Sequence, residues 1–407
     1  MTYIKIKNFG PIKEGLNGDD SDYIDIKKVT VFIGNQGSGK STVAKLISTF
    51  TWIEKALVRG DFNKRNLTYS KLKKLCAYQN ISNYFKKETF IEYIGIAYSL
   101  KCVNEQVEIN SLQLNEYSFP KIMYIPAERN FTSAVKNVYE LRGLPQTLYT
   151  FSNEEKLALD SLKESSVQLP INNTRFEYRK QSKSSWIIGD DYEIELSESS
   201  SGFQSFVPMF LVSRHLSTFI NQEKDPTIKE ISIKERLKLK DEISKIYSNK
   251  KFSDEIKNTL IEQLSARIQY SCFINIIEEP EQNLFPTSQW EMLKSLLEFN
   301  NLNTANKLIL TTHSPFLINY LTIAVKGNTL KDKLKTEKQK VNLKSIVPLN
   351  ATIFPNELAI YEFDEKTGTI NKLESFNGLP SDENMLNEKL SEGNEIYAKL
   401  LEIQQSL

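Results

Sequence analysis

The stretch Gly34-Asn-Gln-Gly-Ser-Gly-Lys40-Ser41-Thr42 satisfies the pattern G-x-x-x-x-G-K-[ST] at every required position. It follows an apolar run, Val29-Thr-Val-Phe-Ile33, and opens a segment, Ser41 to Leu57, that lacks Gly and Pro and has helical character. Strand, glycine turn and helix in that order make a cradle for phosphate. The glycines let successive backbone N–H groups turn inward with no Cβ in the way. The N-terminus of the helix adds a favourable dipole. Asn35, Gly37, Ser38, Gly39, Lys40, Ser41 and Thr42 are therefore candidate cofactor-binding residues. Lys40 is expected to pair with the β- and γ-phosphate oxygens, and the Ser41 hydroxyl to ligate Mg²⁺. A glycine turn can also merely join a strand to a helix, but the full match in this setting reads as a nucleoside triphosphate site, with ATP and Mg²⁺ as cofactors.

Further along, Phe273-Ile-Asn-Ile-Ile-Glu278-Glu279-Pro280 is a nearly unbroken apolar strand that ends in two carboxylates. Beside a phosphate loop, the first acid holds Mg²⁺ and the second orients and deprotonates the attacking water. Glu278 is accordingly the candidate metal residue, with Ser41, and Glu279 the candidate catalytic base. A second strand, Lys307-Leu-Ile-Leu-Thr-Thr312, ends at His313-Ser-Pro. A histidine at a strand end beside two acids suits a γ-phosphate sensor, so His313 joins Glu279 as a catalytic candidate. His215 lies on a helix without such neighbours and reads as an ordinary helical residue. Ser199-Ser-Ser-Gly-Phe-Gln204 precedes that helix; alone, it is a common helix-capping composition.

The wider composition bounds these readings. With 407 residues the chain has room for two to three domains at roughly 150 residues each, or one large domain with insertions. Lys and Arg total 52 against 51 Asp and Glu, a net charge of +1, so only local patches are available for nucleic acid. Three scattered cysteines and two histidines exclude a disulfide framework, a cysteine zinc site and a multi-histidine metal centre. No run approaches the ~18 apolar residues of a membrane span. The N-terminus alternates apolar and polar residues like a first strand and has no secretory core, so a cytoplasmic location and no membrane partner are expected.

Strands are expected at 2–8, 22–33, 94–102, 107–112, 122–125, 273–277 and 307–310, with a hairpin or meander over 173–196 and another hairpin at 358–363 and 369–373. Helices are expected from Ser41, over 202–221 and 286–299, from Pro315, and at the C-terminal end. Residues 143–172 read as loop with a short helix, and 222–266 as a solvated helical lobe of alternating charge. Strands alternating with helices argue for an α/β core with insertions. Residues 62–87 hold seven basic side chains, no acidic one, and Phe62, Tyr69, Tyr78, Tyr84 and Phe85 among them. That mixture could stack on nucleic acid, although a small insertion with inward aromatics and solvated lysines is favoured. Lys326 to Lys344, with seven lysines, reads as a solvated linker rather than a binding site.

Taken in order, Gly34 to Thr42, Ser201 to Gln204, Glu278 to Pro286 and His313 resemble the ABC-type ATPases of the SMC, RecF and OLD group. The opening Ile-Lys-Asn-Phe-Gly-Pro-Ile, the stretch Tyr124-Ile-Pro-Ala-Glu-Arg-Asn130 and Glu278-Glu-Pro-Glu-Gln-Asn-Leu-Phe-Pro286 are most similar to the stand-alone ATPase subunits of prokaryotic anti-phage systems such as PARIS and Septu. The resemblance implies a P-loop NTPase of ABC/RecF-type head architecture: a mixed β core, an insertion at about 59–118, a helical lobe at about 200–270, a head over 1–322 and an extension over 323–407. It also implies a homodimer or higher homo-oligomer in which Ser201, Gly202 and Gln204 of one subunit reach the γ-phosphate held by Lys40 of another. Glu279 would be the base, Glu278 the Mg²⁺ carboxylate and His313 the switch histidine of ATP hydrolysis. A separately encoded effector, a nuclease, would be a partner, with nucleic acid or a phage protein as further candidate partners. Phe203 departs from the pattern where a second signature glycine is usual, and Gln36 stands where Asn is common. No second Mg²⁺ contact is identifiable; for Glu128 and Arg129 a linking role and a surface ion pair are equally compatible. The alternative reading is a DNA repair or recombination clamp of RecF/SMC type. A membrane-transporter ATPase subunit is disfavoured by the N-terminal strand, the long insertions and the Glu-Glu-Pro-Glu run.

Overall fold

The structure, a computed structural model, describes residues 2–18, 22–61, 63–113, 117–135, 138, 141–162, 166–222, 245–246 and 270–405. The chain opens with β1 (Tyr3–Phe9), β2 (Gly15–Asn17), β3 (Ile24–Asp25) and β4 (Val29–Gly34); α1 (Lys40–Arg59) follows the phosphate loop. Next come α2 (Tyr69–Ala77), β5 (Phe85–Ile94), β6 (Tyr98–Val103), β7 (Gln106–Ser111) and β8 (Pro120–Ile125). A single turn, α3 (Phe131–Ala134), leads to α4 (Gln146–Asp160). A small sheet of β9 (Ser166–Gln168), β10 (Arg175–Arg179), β11 (Ser184–Ile188) and β12 (Glu193–Glu195) precedes α5 (Ser201–Gln222). Beyond residue 270 lie β13 (Cys272–Glu278), α6 (Pro286–Asn301), β14 (Lys307–Thr312), α7 (Pro315–Lys331) and α8 (Glu337–Ile346). β15 (Leu358–Phe363), β16 (Thr369–Lys372) and α9 (Met385–Gln405) complete the described chain.

The fold is mixed α/β. Its centre is a seven-stranded sheet in the order β2-β16-β15-β4-β14-β13-β8, in which β15, β4, β14, β13 and β8 are parallel. β4 and β13 are buried along their whole length, as strands covered on both faces must be. Val29, Val31 and Ile33 of β4 face a core shared with α4, α5, α6 and α7. Phe32, with Ile276 and Ile309, faces the opposite core, where α1 lies beneath an antiparallel sheet of order β3-β1-β5-β6-β7. α1 stops at Gly60, whose left-handed backbone (φ 91°) lets its N–H cap the Ala56 carbonyl.

Most of the expected elements are present. β5 has no counterpart among the expected strands, and the apolar run at 94–102 straddles the turn between β5 and β6. The short helix expected within the loop-rich 143–172 is α4, fifteen residues long. The lysine-rich segment is helical rather than a linker. The segment spans the end of α7 and most of α8: Gly327 and Asn328 of α7 and Leu343 of α8 are buried, and Thr336 and Gln339 form a reciprocal capping box that starts α8. The hairpin of β15 and β16 forms as expected, but β15 pairs in parallel with β4 itself. The central sheet therefore draws on both sides of the expected boundary near residue 322. The helical lobe expected over 222–266 lies almost wholly outside the described residues.

Candidate active site

Parallel pairing brings the carboxyl ends of β4, β14 and β13 side by side, with Thr312 opposite Ile33 and Thr311 opposite Glu278. The phosphate loop, His313 and the two acids thus share one edge of the sheet, where ligands bind in open parallel α/β structures. At Gly34 a Cβ would lie 2.6 Å from the Phe363 carbonyl oxygen, so the close approach of β15 demands glycine there. The buried Lys40 ammonium donates to the carbonyls of Gly34 and Asn35, both at 2.8 Å. Gln36 N–H donates to the Asn35 side chain, whose amide donates to Glu365. Ser38 Oγ is buried within the loop without a hydrogen-bond partner. An unmet donor in a glycine cradle beside a lysine fits an incoming phosphate oxygen.

Burial pulls the Lys40 amine down to about 8, against the opposing fields of Glu279, Glu281, Glu278 and Glu365. Phosphate binding needs the ammonium form. ATP affinity should therefore be nearly constant below pH 7 and fall by up to about tenfold per unit as pH rises through and above 8. Fluorescent-nucleotide titrations across pH 6.5 to 9.5 would show this, and constant affinity to pH 9 would contradict it.

Glu278 is buried, and both of its oxygens are held: Tyr124 Oη donates to one, and the Ala127 N–H to the other at 3.3 Å. Burial and the adjacent carboxylate push the Tyr124 hydroxyl far up, so it remains a donor. A carboxylate has about four lone-pair sites, so an ion contact from Glu278 would use those left over. Glu279 sits at φ 44°, a left-handed conformation costly for a non-glycine residue. Its N–H donates to the Thr311 carbonyl at 2.9 Å. Its carboxylate lies 3.6 Å from His313 Nε2. The neighbouring His313 imidazole, with the Lys40 and Arg129 charges, outweighs partial burial and keeps the acid below its usual range. Glu279 is thus an ionised acceptor aimed beside the phosphate loop.

Two residues complete the site beyond the expected set. Glu281 accepts from Thr312 Oγ1 at 2.7 Å and from the His313 N–H at 2.8 Å, and so fixes the backbone that carries the histidine. Burial raises its carboxyl, and its second oxygen has no partner. The Glu-Pro-Glu spacing after the strand is the signal that could have found it. Arg129 is no surface ion pair. Its guanidinium is fully buried and donates to four carbonyls: Pro126, Ser205, Glu278 and Glu279. It therefore bolts the turn after β8 and the start of α5 to the peptide that carries both acids. Burial lowers it only to about 10, so it stays charged at neutral pH. Glu128 is exposed.

Ser201 is exposed at the first turn of α5, where helix N–H groups lack intrahelical partners. A Cβ on Gly202 would meet the Asn283 carbonyl oxygen at 2.8 Å, so the loop after the acidic strand packs against this glycine. The Gln204 amide nitrogen donates to the Ser197 and Ser199 carbonyls, bracing the turn that presents Ser201. Pro208 lies within α5 and cannot donate to the Gln204 carbonyl, which instead accepts from Ser133 Oγ at 2.9 Å. Phe203, in place of a glycine, packs partly buried against the core. His215 bonds Ser161 Oγ and stacks on Phe219, away from these residues.

The basic stretch forms α2 and the start of β5. Tyr69 meets Phe85 edge-on, Phe85 meets Phe9, and Lys73 lies over Tyr69. Tyr69 and Phe85 are thus engaged in packing, whereas Tyr78 and Tyr84 are exposed and Phe62 lies outside the described residues. Among the described residues no cluster of three or more His, Cys, Asp or Glu could hold a metal, and no helix is long and apolar enough to cross a membrane.

Fold and site together define a mixed α/β domain that carries a G-x-x-x-x-G-K-[ST] loop at the carboxyl edge of its parallel strands. No protein-family model and no curated protein matches the chain. Among solved structures it is similar to the SMC head domain from Thermotoga maritima, at 11% identity and TM-score 0.36 over 92% of this chain and 98% of that one. An Smc head domain derived from Pyrococcus furiosus, bound to the C-terminal domain of ScpA, gives 10% identity and TM-score 0.34 over 98% and 100%. A dimeric bacterial ABC transporter cassette gives 10% and 0.27 over 92% and 100%. At scores this low, the functional conclusions rest on the geometry of the chain itself.

Proposed function

We propose that this protein binds and hydrolyses ATP with Mg²⁺ as an ABC-type head, and that two copies close on shared nucleotides. The observation that carries this reading is the convergence of Lys40, Glu278 and the Glu279–His313 pair on one edge of adjacent parallel strands. Lys40 releases the loop carbonyls and takes the β/γ-phosphate oxygens; Ser41 and Glu278 would hold Mg²⁺, which would draw charge from the phosphates. Glu279, being ionised, orients the attacking water and accepts its proton, while His313 senses the γ-phosphate from the neighbouring strand end. The exposed Ser201 and the N-terminus of α5 suit a γ-phosphate presented by a second copy.

A cellular role accompanies that chemistry. The stretches Tyr124 to Asn130 and Glu278 to Pro286 support a sensor and scaffold of a prokaryotic anti-phage complex, one that gates a separately encoded nuclease through ATP-dependent assembly. The shared-site model is tested with two variants. Ser201→Arg should bind ATP normally but fail to hydrolyse it, and Lys40→Ala should fail to bind. Mixing them should restore part of the turnover, since a mixed dimer contains one site with both residues intact. Tagged pull-down must show the mixed dimer; its presence without activity would remove the shared-site model.

A further inference from the structure

The helix α9 runs for 21 residues with no buried side chain in its own chain. Leu390, Ile396, Tyr397, Leu400 and Ile403 are each more than half exposed, and Leu401 is exposed beside them. Leu390, Gly393, Tyr397 and Leu400 recur at the alternating three- and four-residue spacing of a coiled-coil seam. The charged residues Glu388, Glu392, Glu395, Lys399 and Glu402 all fall off that seam. Gly393 is the informative position. Glycine is disfavoured against alanine inside a helix, yet a Cβ here would meet nothing within 4 Å in the chain. Nothing within one copy accounts for it.

We infer that α9 pairs with α9 of a second copy as a two-fold antiparallel helix pair, with Tyr397 of each copy seated over Gly393 of the other. In that register Leu390 faces Leu400, the two-fold axis passes level with residue 395, and the two Ile396 side chains flank it one residue to either side. A parallel pair would instead stack Gly393 on Gly393 and Tyr397 on Tyr397, leaving a hole next to a bulge. Covering six apolar side chains removes on the order of 100 Å² apiece on each copy, about 1,200 Å² in all, which reaches the range of specific interfaces. The pairing is isologous and closed. It needs no nucleotide, so it is separate from the ATP-dependent closure proposed above and would link heads into dimers or larger rings.

The test uses the full chain without nucleotide, in the wild-type and Lys40→Ala backgrounds, so failure of the ATP reading leaves it intact. Cys76, Cys102 and Cys272 are buried, which makes introduced surface cysteines specific reporters. Under mild oxidation Ile396→Cys should be trapped as a disulfide dimer, whereas Ala398→Cys, on the opposite face, should not. Light scattering should give a dimeric mass that Tyr397→Asp lowers to that of a monomer. Gly393→Ala, which favours the helix itself, should weaken self-association about tenfold or more by filling the seat of the tyrosine. A monomeric wild type at ~100 μM would overturn the pairing, as would a dimer indifferent to Tyr397→Asp. Trapping at Gly393→Cys instead of Ile396→Cys would overturn the antiparallel arrangement.

Discussion

Glu279→Gln should bind ATP as tightly as the unsubstituted protein while hydrolysing it about 10² to 10⁴ times more slowly, the usual range for a lost general base. The substitution is nearly isosteric and leaves the backbone clamp intact, because the Glu279 N–H to Thr311 bond and the Arg129 bond to the Glu279 carbonyl involve no side-chain atom of this residue. What disappears is the negative charge beside His313 and the capacity to take a proton from water. Lys40 opens α1 after a different strand, and its bonds to Gly34 and Asn35 are untouched. Nucleotide titration together with single-turnover hydrolysis separates the two effects. Equal hydrolysis by the variant and the wild type would remove Glu279 from the catalytic role.

Arg129→Met should cost about 3 kcal/mol of stability and, in the fraction that remains folded, lower hydrolysis more than ATP binding. The methionine fills much of the volume but donates nothing. The carbonyls of Pro126, Ser205 and Glu278 lose a charged donor, and Glu279 keeps only the N–H of Gln282. Hydrogen bonds to charged groups contribute about 1.5–3 kcal/mol each, and relief of the desolvated guanidinium offsets part of their loss. The catalytic consequence follows from the strained peptide. A residue at φ 44° relaxes once its carbonyl is released, and relaxation swings the carboxylate away from His313. Arg129→Lys keeps the charge but cannot span four carbonyls, so it should recover stability further than activity. Urea denaturation and kcat against KM measure both. A variant that loses stability with unchanged kcat would leave Arg129 a purely structural bolt.

How much of the site is legible in residue order depends on how local each signal is. The phosphate loop is a local device: its glycines, Lys40 and Ser41 are consecutive, and the flanking strand and helix declare themselves by apolar periodicity. Glu278, Glu279 and His313 are visible for a similar reason, since each ends an apolar strand. The roles of Arg129 and Glu281 are not. Nothing in Ala127-Glu-Arg-Asn130 distinguishes a buried guanidinium from a surface one, because its four acceptors come from backbone carbonyls at positions 126, 205, 278 and 279. Backbone acceptors leave no trace in residue identity.

The same contrast separates the elements. Residue order alone settled a glycine-rich turn between β4 and α1, acids and a histidine at strand ends, and the β15–β16 hairpin, because backbone conformation and hydrophobic period act over a few residues. Tertiary packing decided that β15, near the other end of the chain, lies directly against β4 and forces glycine at position 34. It decided that the lysine-rich stretch forms the end of α7 and most of α8, with Leu343 in the core, and that Gly202 touches the loop beyond the acidic strand. Such pairings are chosen by burial between distant segments, and burial is a property of the assembled chain.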